Sequence, residues 1–137
     1  MNGLNYKIIA SFLGLTAILN GVFMLLAVPF SWYHKEAVSE GIFTAGVITI
    51  FVGFCAWFFN RNANKSLQKK EGYLIVTLGW LVLTFTGALP YLLTGAIPNF
   101  TDAIFETISG YSTTGASIIQ DIEVLPKGIL FWRSATH

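Results

Sequence analysis

The chain has 137 residues, of which 54% are hydrophobic and only 11% charged, with a formal net charge of +1. That balance argues against a soluble domain or a basic nucleic-acid binder and points to a membrane protein. Cys55 is the single cysteine, so no internal disulfide or thiolate metal site can be built, and it reads as apolar packing.

In chain order, no ionised side chain lies between Lys7 and His34, and Ile8 to Phe30 makes a helix of about 35 Å against a hydrocarbon core of about 30 Å. This first span is too long for the apolar region of a signal peptide and lacks a small-residue cleavage site before Trp32, so it is expected to be a retained helix. Gly14, Thr16, Asn20 and Gly21 suit burial against other helices. Asn20, near mid-membrane, is expected to hydrogen-bond between helices, with a substrate ligand as the alternative.

Gly41 to Phe59, between Glu40 and Arg61, forms the second span. Its Gly41, Ala45, Thr49 and Gly53 recur every fourth residue and predict a smooth stripe for close helix approach. The connection that follows carries Arg61, Lys65, Lys69 and Lys70 against Glu71 alone, whereas the preceding one sets Lys35 against Glu36 and Glu40. By the positive-inside rule the 61–71 loop is cytoplasmic, the N-terminus with Lys7 is inside and the Ser31 to Glu40 loop is outside. The basic cluster is read as an orientation signal, in preference to a nucleic-acid or anionic-lipid patch.

Gly72 to Thr101 is again free of charge, with a third helix expected from roughly Tyr73 to Leu93, a kink at Pro90 and a turn at Gly95 and Pro98. Tyr6, Trp32, Tyr33, Trp57, Tyr73 and Tyr91 fall near span ends, where amphipathic rings prefer the headgroup region, and Trp80 is the exception.

The segment from Asp102 to Ser117 is the one that carries chemistry. Phe100, Ile104 and Ile108, flanked by Ala103 and Phe105, share one helical face, with Thr101, Asp102, Glu106, Thr107 and Ser109 mostly opposite. A helix from Thr101 to Gly110 would be about 15 Å long, half a bilayer. Asn99, Thr101 or Asp102 can cap its start, Asp102 complements the dipole there, and Gly110 is expected to end it. The sequence Tyr111-Ser-Thr-Thr-Gly-Ala-Ser117 then suits an extended, folded-back strand rather than a buried helix. Carbonyls of Ser112, Thr113, Thr114, Gly115 and Ala116 can replace the water shell of a monovalent cation, above all those of Thr113, Thr114 and Gly115. Gly115 admits backbone angles closed to other residues, and Glu106 is expected to brace the strand by hydrogen bonds to its backbone, with Gly110 supporting it.

Other readings of the same residues compete. The segment could be an interfacial helix followed by an ordinary external loop. Gly110 and Gly115 have the spacing of a phosphate loop, but Ala116 replaces its lysine and no strand precedes it. Ser109, Ser112 and Ser117 lack a neighbouring histidine for nucleophilic chemistry, since His34 and His137 lie elsewhere. Asp102 and Glu106, four apart, would need a sugar-sized cleft to act as a glycosidase pair.

Phe105-Glu-Thr-Ile-Ser-Gly-Tyr-Ser-Thr-Thr-Gly-Ala-Ser117, followed by Leu125-Pro-Lys-Gly-Ile-Leu-Phe-Trp-Arg-Ser134, closely resembles the first pore loop and following helix of the membrane subunit of bacterial Trk potassium uptake systems. The resemblance implies four successive helix–pore loop–helix units around a pseudo-fourfold pore, preceded by two extra helices. Residues 1–71 would be those extra helices with the basic loop, and residues 72–137 the first unit, cut within its second helix. It further implies potassium uptake at the cell inner membrane, no enzymatic chemistry, no cofactor, a homodimer in lipid, and a cytosolic nucleotide-binding regulatory subunit. Gating elements and further units are expected beyond His137. The fold expected is therefore all-α and membrane-embedded: three transmembrane helices, a re-entrant pore helix with its filter strand, and the start of a fourth helix. The rival functions are a polytopic anchor or assembly subunit without a pore, and a lipid-acting enzyme, for which the chain offers no intramembrane cluster of His, Asp and Glu.

Overall fold

A computed structural model describes residues 4–62 and 67–137. Lys65 of the basic loop lies outside the described residues. Five helices follow in order: α1 (Tyr6–Tyr33), α2 (Ser39–Asn60), α3 (Lys69–Thr94), α4 (Phe100–Tyr111) and α5 (Lys127–Thr136). The first three are long and apolar enough to cross a membrane. Each overruns its expected span by one to four residues at either end, because helical hydrogen bonds continue into the polar flanks.

α1 and α2 form an antiparallel hairpin with the most extensive packing in the chain. Two pairs of glycines make it possible. A Cβ at Gly14 would lie 2.5 Å from the Gly53 carbonyl oxygen, and one at Gly21 would lie 2.9 Å from the Gly46 carbonyl oxygen. Within each helix the two glycines are seven residues apart, almost two turns, so both crossings fall on one face. The small-residue stripe expected on α2 is therefore divided: Gly53 meets α1, while Gly41 meets Leu93 and Thr94 at the end of α3. Thr49, fully buried, bonds the Ala45 carbonyl of its own helix at 2.8 Å. Its partner residues make the stripe a packing feature, as its composition suggested.

Carboxylates tie both ends of the bundle. At one end Glu71, 2% exposed, closes the α3 capping box by accepting from Gln68 N at 2.9 Å, and it also accepts from Asn5 N at 2.8 Å at the start of α1. At the other end Glu36, in the α1–α2 turn, accepts from Lys127 N at 2.6 Å and Gly128 N at 3.1 Å, the first amides of α5. Pro126 at the N-cap has no side chain to do this, so the cap comes from about ninety residues upstream. Gly128 then sits directly against Ser31 and Ile42.

The buried core lies where α5 and α4 close over the C-terminal halves of α1 and α3 and the N-terminal half of α2, with Met24, Ile42, Tyr91, Ala103, Ile129 and Trp132 at its centre. Tyr6, Trp32, Tyr33 and Tyr73 are exposed near helix ends, as an interfacial belt requires. Tyr91 departs from that expectation: it is fully buried, in the core it shares with Ala103 of α4 and Ile129 and Trp132 of α5. Gly95 takes the left-handed conformation that ends α3.

Candidate functional site

α4 has 12 residues, about 18 Å, and cannot cross a bilayer. Asn99 caps it, its Oδ1 accepting from Thr101 N at 2.9 Å. The helix is amphipathic in the expected sense, and it is the polar side that faces the protein. Glu106, Thr107 and Ser109 are buried with Ala103, while Phe100, Phe105 and Ile108 face outward. α4 approaches α3 at Gly87, where a Cβ would lie 2.8 Å from both Thr107 and the Tyr111 ring. Trp132 of α5 donates its indole N–H to the Gly87 carbonyl at 3.1 Å, so three elements converge on one glycine.

The helix ends differently from the sequence expectation. Gly110 is helical and buried, and a Cβ there would meet Thr136 and His137 of α5 at 3.0 Å. Its small size serves this contact with α5, while the helix runs on to Tyr111. The left-handed residue that stops α4 is Thr113, with φ 55°. Thr113 N donates to the Gly110 carbonyl at 2.9 Å and Thr114 N to the Ser109 carbonyl at 3.1 Å, the paired bonds of a Schellman motif. A threonine in this region carries about 1–3 kcal/mol of strain. Lys35 ends α1 in the same way, with φ 54°.

From Thr114 to Ser117 the backbone is irregular, neither helix nor strand. The extended strand expected from composition is therefore an irregular segment, with Thr113 and Gly115 both at left-handed angles. Gly115 has φ 75°, so its glycine is required by the backbone angle, since a Cβ there would meet nothing within 4 Å. The residues from Ser112 to Ser117 are exposed on this chain.

Side chains hold this segment from both ends. The Ser109 hydroxyl donates to the Ala116 carbonyl at 2.5 Å, and the Thr113 hydroxyl to the Ser112 carbonyl at 2.7 Å. Ser112 and Thr114 hydroxyls lie 2.7 Å apart. Among the described residues, the carbonyls of Thr113, Thr114 and Gly115 accept no hydrogen bond.

Glu106, fully buried, accepts from the Ser117 hydroxyl at 3.0 and 3.1 Å and from Ile118 N at 3.2 Å. Its bracing therefore acts on the residues just past Ala116 rather than on the segment from Ser112 to Ala116 itself. Arg133 of α5 donates Nε–H to Glu106 Oε1 at 2.8 Å, which neutralises the carboxylate. The sequence reading did not find this partner. Its only trace was the arginine in the Phe131-Trp-Arg-Ser134 stretch, one or two turns into an apolar helix, where an unpaired cation is costly.

Asn20 makes the interhelical bonds expected of it. Its Nδ2 donates to Thr86 Oγ1 at 2.8 Å, and its Oδ1 accepts from the Tyr111 hydroxyl at 2.5 Å. Asp102 is half-buried in the first turn of α4.

Three membrane-length helices, a short helix leading into an irregular segment, and a following helix bonded to α3 and α4 define a multi-pass membrane protein with the helix–pore loop–helix arrangement of channel-like folds. Residues 38–137 match the TrkH family, described as cation transport protein, and the chain belongs to that family. The Trk system potassium uptake protein TrkH of Halomonas elongata is 36% identical over 131 residues, covering 95% of this chain and 27% of that protein. The protein of the same name from Escherichia coli is 33% identical over 132 residues, with the same coverage. The crystal structure of the potassium transporter TrkH from Vibrio parahaemolyticus superimposes with a TM-score of 0.88 at 35% identity, covering 97% of this chain and 29% of that one. The chain thus spans about a quarter of the length of the curated relatives it matches.

Proposed function

We propose that this chain supplies the first of four filter segments to a potassium-uptake pore, with Thr113, Thr114 and Gly115, flanked by Ser112 and Ala116, as the cation-contacting backbone. The observation that carries this reading is the run of three successive carbonyls without a hydrogen bond at the foot of a half-membrane helix. In a membrane each such group costs several kcal/mol unless something replaces water. A partly dehydrated monovalent cation does so, helped by the negative end of the α4 dipole. Neutral oxygens suit a mobile monovalent ion better than a divalent one, which favours carboxylates. Ser109 and Glu106 hold the segment beyond Gly115, and Glu106 carries no free charge to trap the ion because Arg133 neutralises it.

In this reading residues 1–71 are two helices outside the pore and residues 72–137 are one pore unit. Uptake is driven by the membrane potential, about 2.3 kcal/mol per charge per 100 mV. The reaction is transport, with no covalent chemistry. The names of the relatives support a potassium-transporting protein, the membrane-length helices place it in a bilayer that this reading takes as the inner membrane, and the basic loop after α2 supports a cytoplasmic N-terminus. Family membership favours a homodimer working with a cytosolic nucleotide-binding regulatory subunit.

Replacing Gly115 by Asp in the full-length polypeptide that carries this chain tests the assignment. Selective rubidium uptake is expected to be abolished or broadened while the protein still reaches the membrane. Wild-type uptake and selectivity would remove the filter assignment and leave an anchor or assembly role.

A further inference from the structure

The two N-terminal helices lie outside the pore unit, yet one of them reaches the root of the proposed filter. Asn20 is the fifteenth of 28 residues in α1, at mid-membrane, and 5% exposed. Tyr111 is the last helical residue of α4 and directly precedes Ser112. We propose that Asn20 is a positioning residue for cation selectivity: it fixes the Tyr111 side chain, and through it the angle at which the backbone leaves α4 toward Ser112–Ala116. The proposal rests on the filter assignment made above.

The direction of each hydrogen bond follows from chemistry. The Thr86 hydroxyl donates its proton to the Val82 carbonyl at 2.6 Å, so toward Asn20 it can only accept. The Asn20 amide nitrogen must therefore face Thr86, at 2.8 Å, and its oxygen must face Tyr111. The Tyr111 hydroxyl then donates, at 2.5 Å. The result is a directed relay from the end of the pore helix, through α1, into the backbone of α3. An aspartate, a leucine or a reversed amide at position 20 breaks it.

The Tyr111 ring has little freedom to take another place. It lies against Gly87, where even a methyl group would overlap it, and Gly87 is held by Trp132 from the opposite element. With the ring gripped along its side and the hydroxyl anchored at its tip, the last turn of α4 cannot rotate about its axis. Two residues later Thr113 adopts the strained left-handed angle from which the extended segment starts. A rotation of Tyr111 would be passed directly to Thr113, Thr114 and Gly115, because no regular secondary structure intervenes to absorb it. Asn20 itself is separate from the carbonyl run, so it acts on selectivity only through Tyr111.

Tyr111→Phe, which keeps the ring and removes the hydroxyl, and Asn20→Leu are made singly and together in the full-length transporter. Rubidium uptake is measured against sodium competition and normalised to protein in the membrane. Each single variant removes the Asn20–Tyr111 hydrogen bond and is expected to lower rubidium-over-sodium preference by about three- to tenfold, the range that loss of that one intramembrane bond brings. The double variant should lose no more than the larger single loss. Thr49→Val, which removes a buried α2 hydroxyl that bonds Ala45 and takes no part in the Thr86–Asn20–Tyr111 relay, is expected to leave the preference unchanged. Equal preference in wild type, Tyr111→Phe and Asn20→Leu, with only the amount of protein reduced, would overturn the proposal and leave Asn20 as interhelical glue. Gly115→Asp separates the two readings: if it abolishes selective uptake while the Asn20 and Tyr111 variants retain wild-type preference, the filter assignment stands and the positioning role fails. If Gly115→Asp is itself without effect, both fall.

Discussion

The α1–α2 hairpin and the α4–loop–α5 segment are both membrane-embedded, but they are held by opposite means. The hairpin contains long helices that satisfy nearly all of their own backbone, and apart from a weak Thr49 hydroxyl–Met24 sulfur contact its two members are joined by backbone surfaces meeting at Gly14–Gly53 and Gly21–Gly46. In the second region the helix stops half-way and the backbone runs on unpaired. There, buried polar side chains take over: Glu106 with Arg133, Ser117 and Ile118 N, Ser109 with the Ala116 carbonyl, and Tyr111 with Asn20. The contrast teaches where a membrane chain can use shape alone. Shape suffices while every peptide group is inside a helix, and chemistry is needed where one is not.

Removing the cation from the second region should break the comparison most severely. Arg133→Leu leaves the Glu106 carboxylate fully buried without its charge partner, a situation that costs about 3–5 kcal/mol. A large drop in thermal stability of the full-length protein in detergent is expected. Combining it with Glu106→Gln should recover much of the loss, because the buried charge is then gone as well. Glu106→Gln alone should preserve expression and alter selectivity, since the amide keeps one acceptor for Ser117 and Ile118. Full stability in Arg133→Leu would show that the pair does not hold the loop.

The hairpin should respond to size, with charge and hydrogen bonding unchanged. Gly53→Ala places a methyl group 2.6 Å from the Gly14 carbonyl oxygen and 2.9 Å from Ile18 N, both backbone atoms. Overpacking of this kind costs about 1–3 kcal/mol. Gly72→Ala is the matched control: it lies in α3 with nothing within 4 Å, and should be neutral or stabilising by about 0.5–1 kcal/mol. Equal melting temperatures for the two variants would contradict close packing at the glycine pairs.

The weakest expected effect lies at the seam between the regions. Glu36→Ala removes the only side-chain cap of α5 among the described residues and should destabilise by about 1 kcal/mol. Hydrogen exchange at Lys127 and Gly128 should rise in that variant, while exchange in α2 stays unchanged.

Much of the fold was legible in the sequence. Charge-free runs located all three spans to within a few residues, and Asn99 was among the residues expected to cap α4. Composition also placed a departure from helix after α4, expected as an extended strand and found as an irregular segment, and a glycine with an unusual backbone angle at position 115. Three features at or near the site were read differently. Gly110 looked like a helix end because glycine commonly ends helices, but close contact with α5 reserved it for packing and the turn moved to Thr113. Tyr91 looked interfacial by its position along α3, and is buried because it lies in the core where α4 and α5 meet the bundle. Arg133 carried no local signal of its partner.

The sequence by itself determined the spanning helices, since a helix closes its hydrogen bonds within four residues and the bilayer sets its length. It determined equally that the chain leaves helical form after α4, through residues that suit no buried helix. Only the tertiary structure decided how that departure is held. The bonds that hold it join residues 11, 27 and 91 apart, Glu106 to Ser117, Glu106 to Arg133 and Asn20 to Tyr111. A local pattern shows that a buried carboxylate or amide needs partners. Which partners it finds depends on which helix faces it.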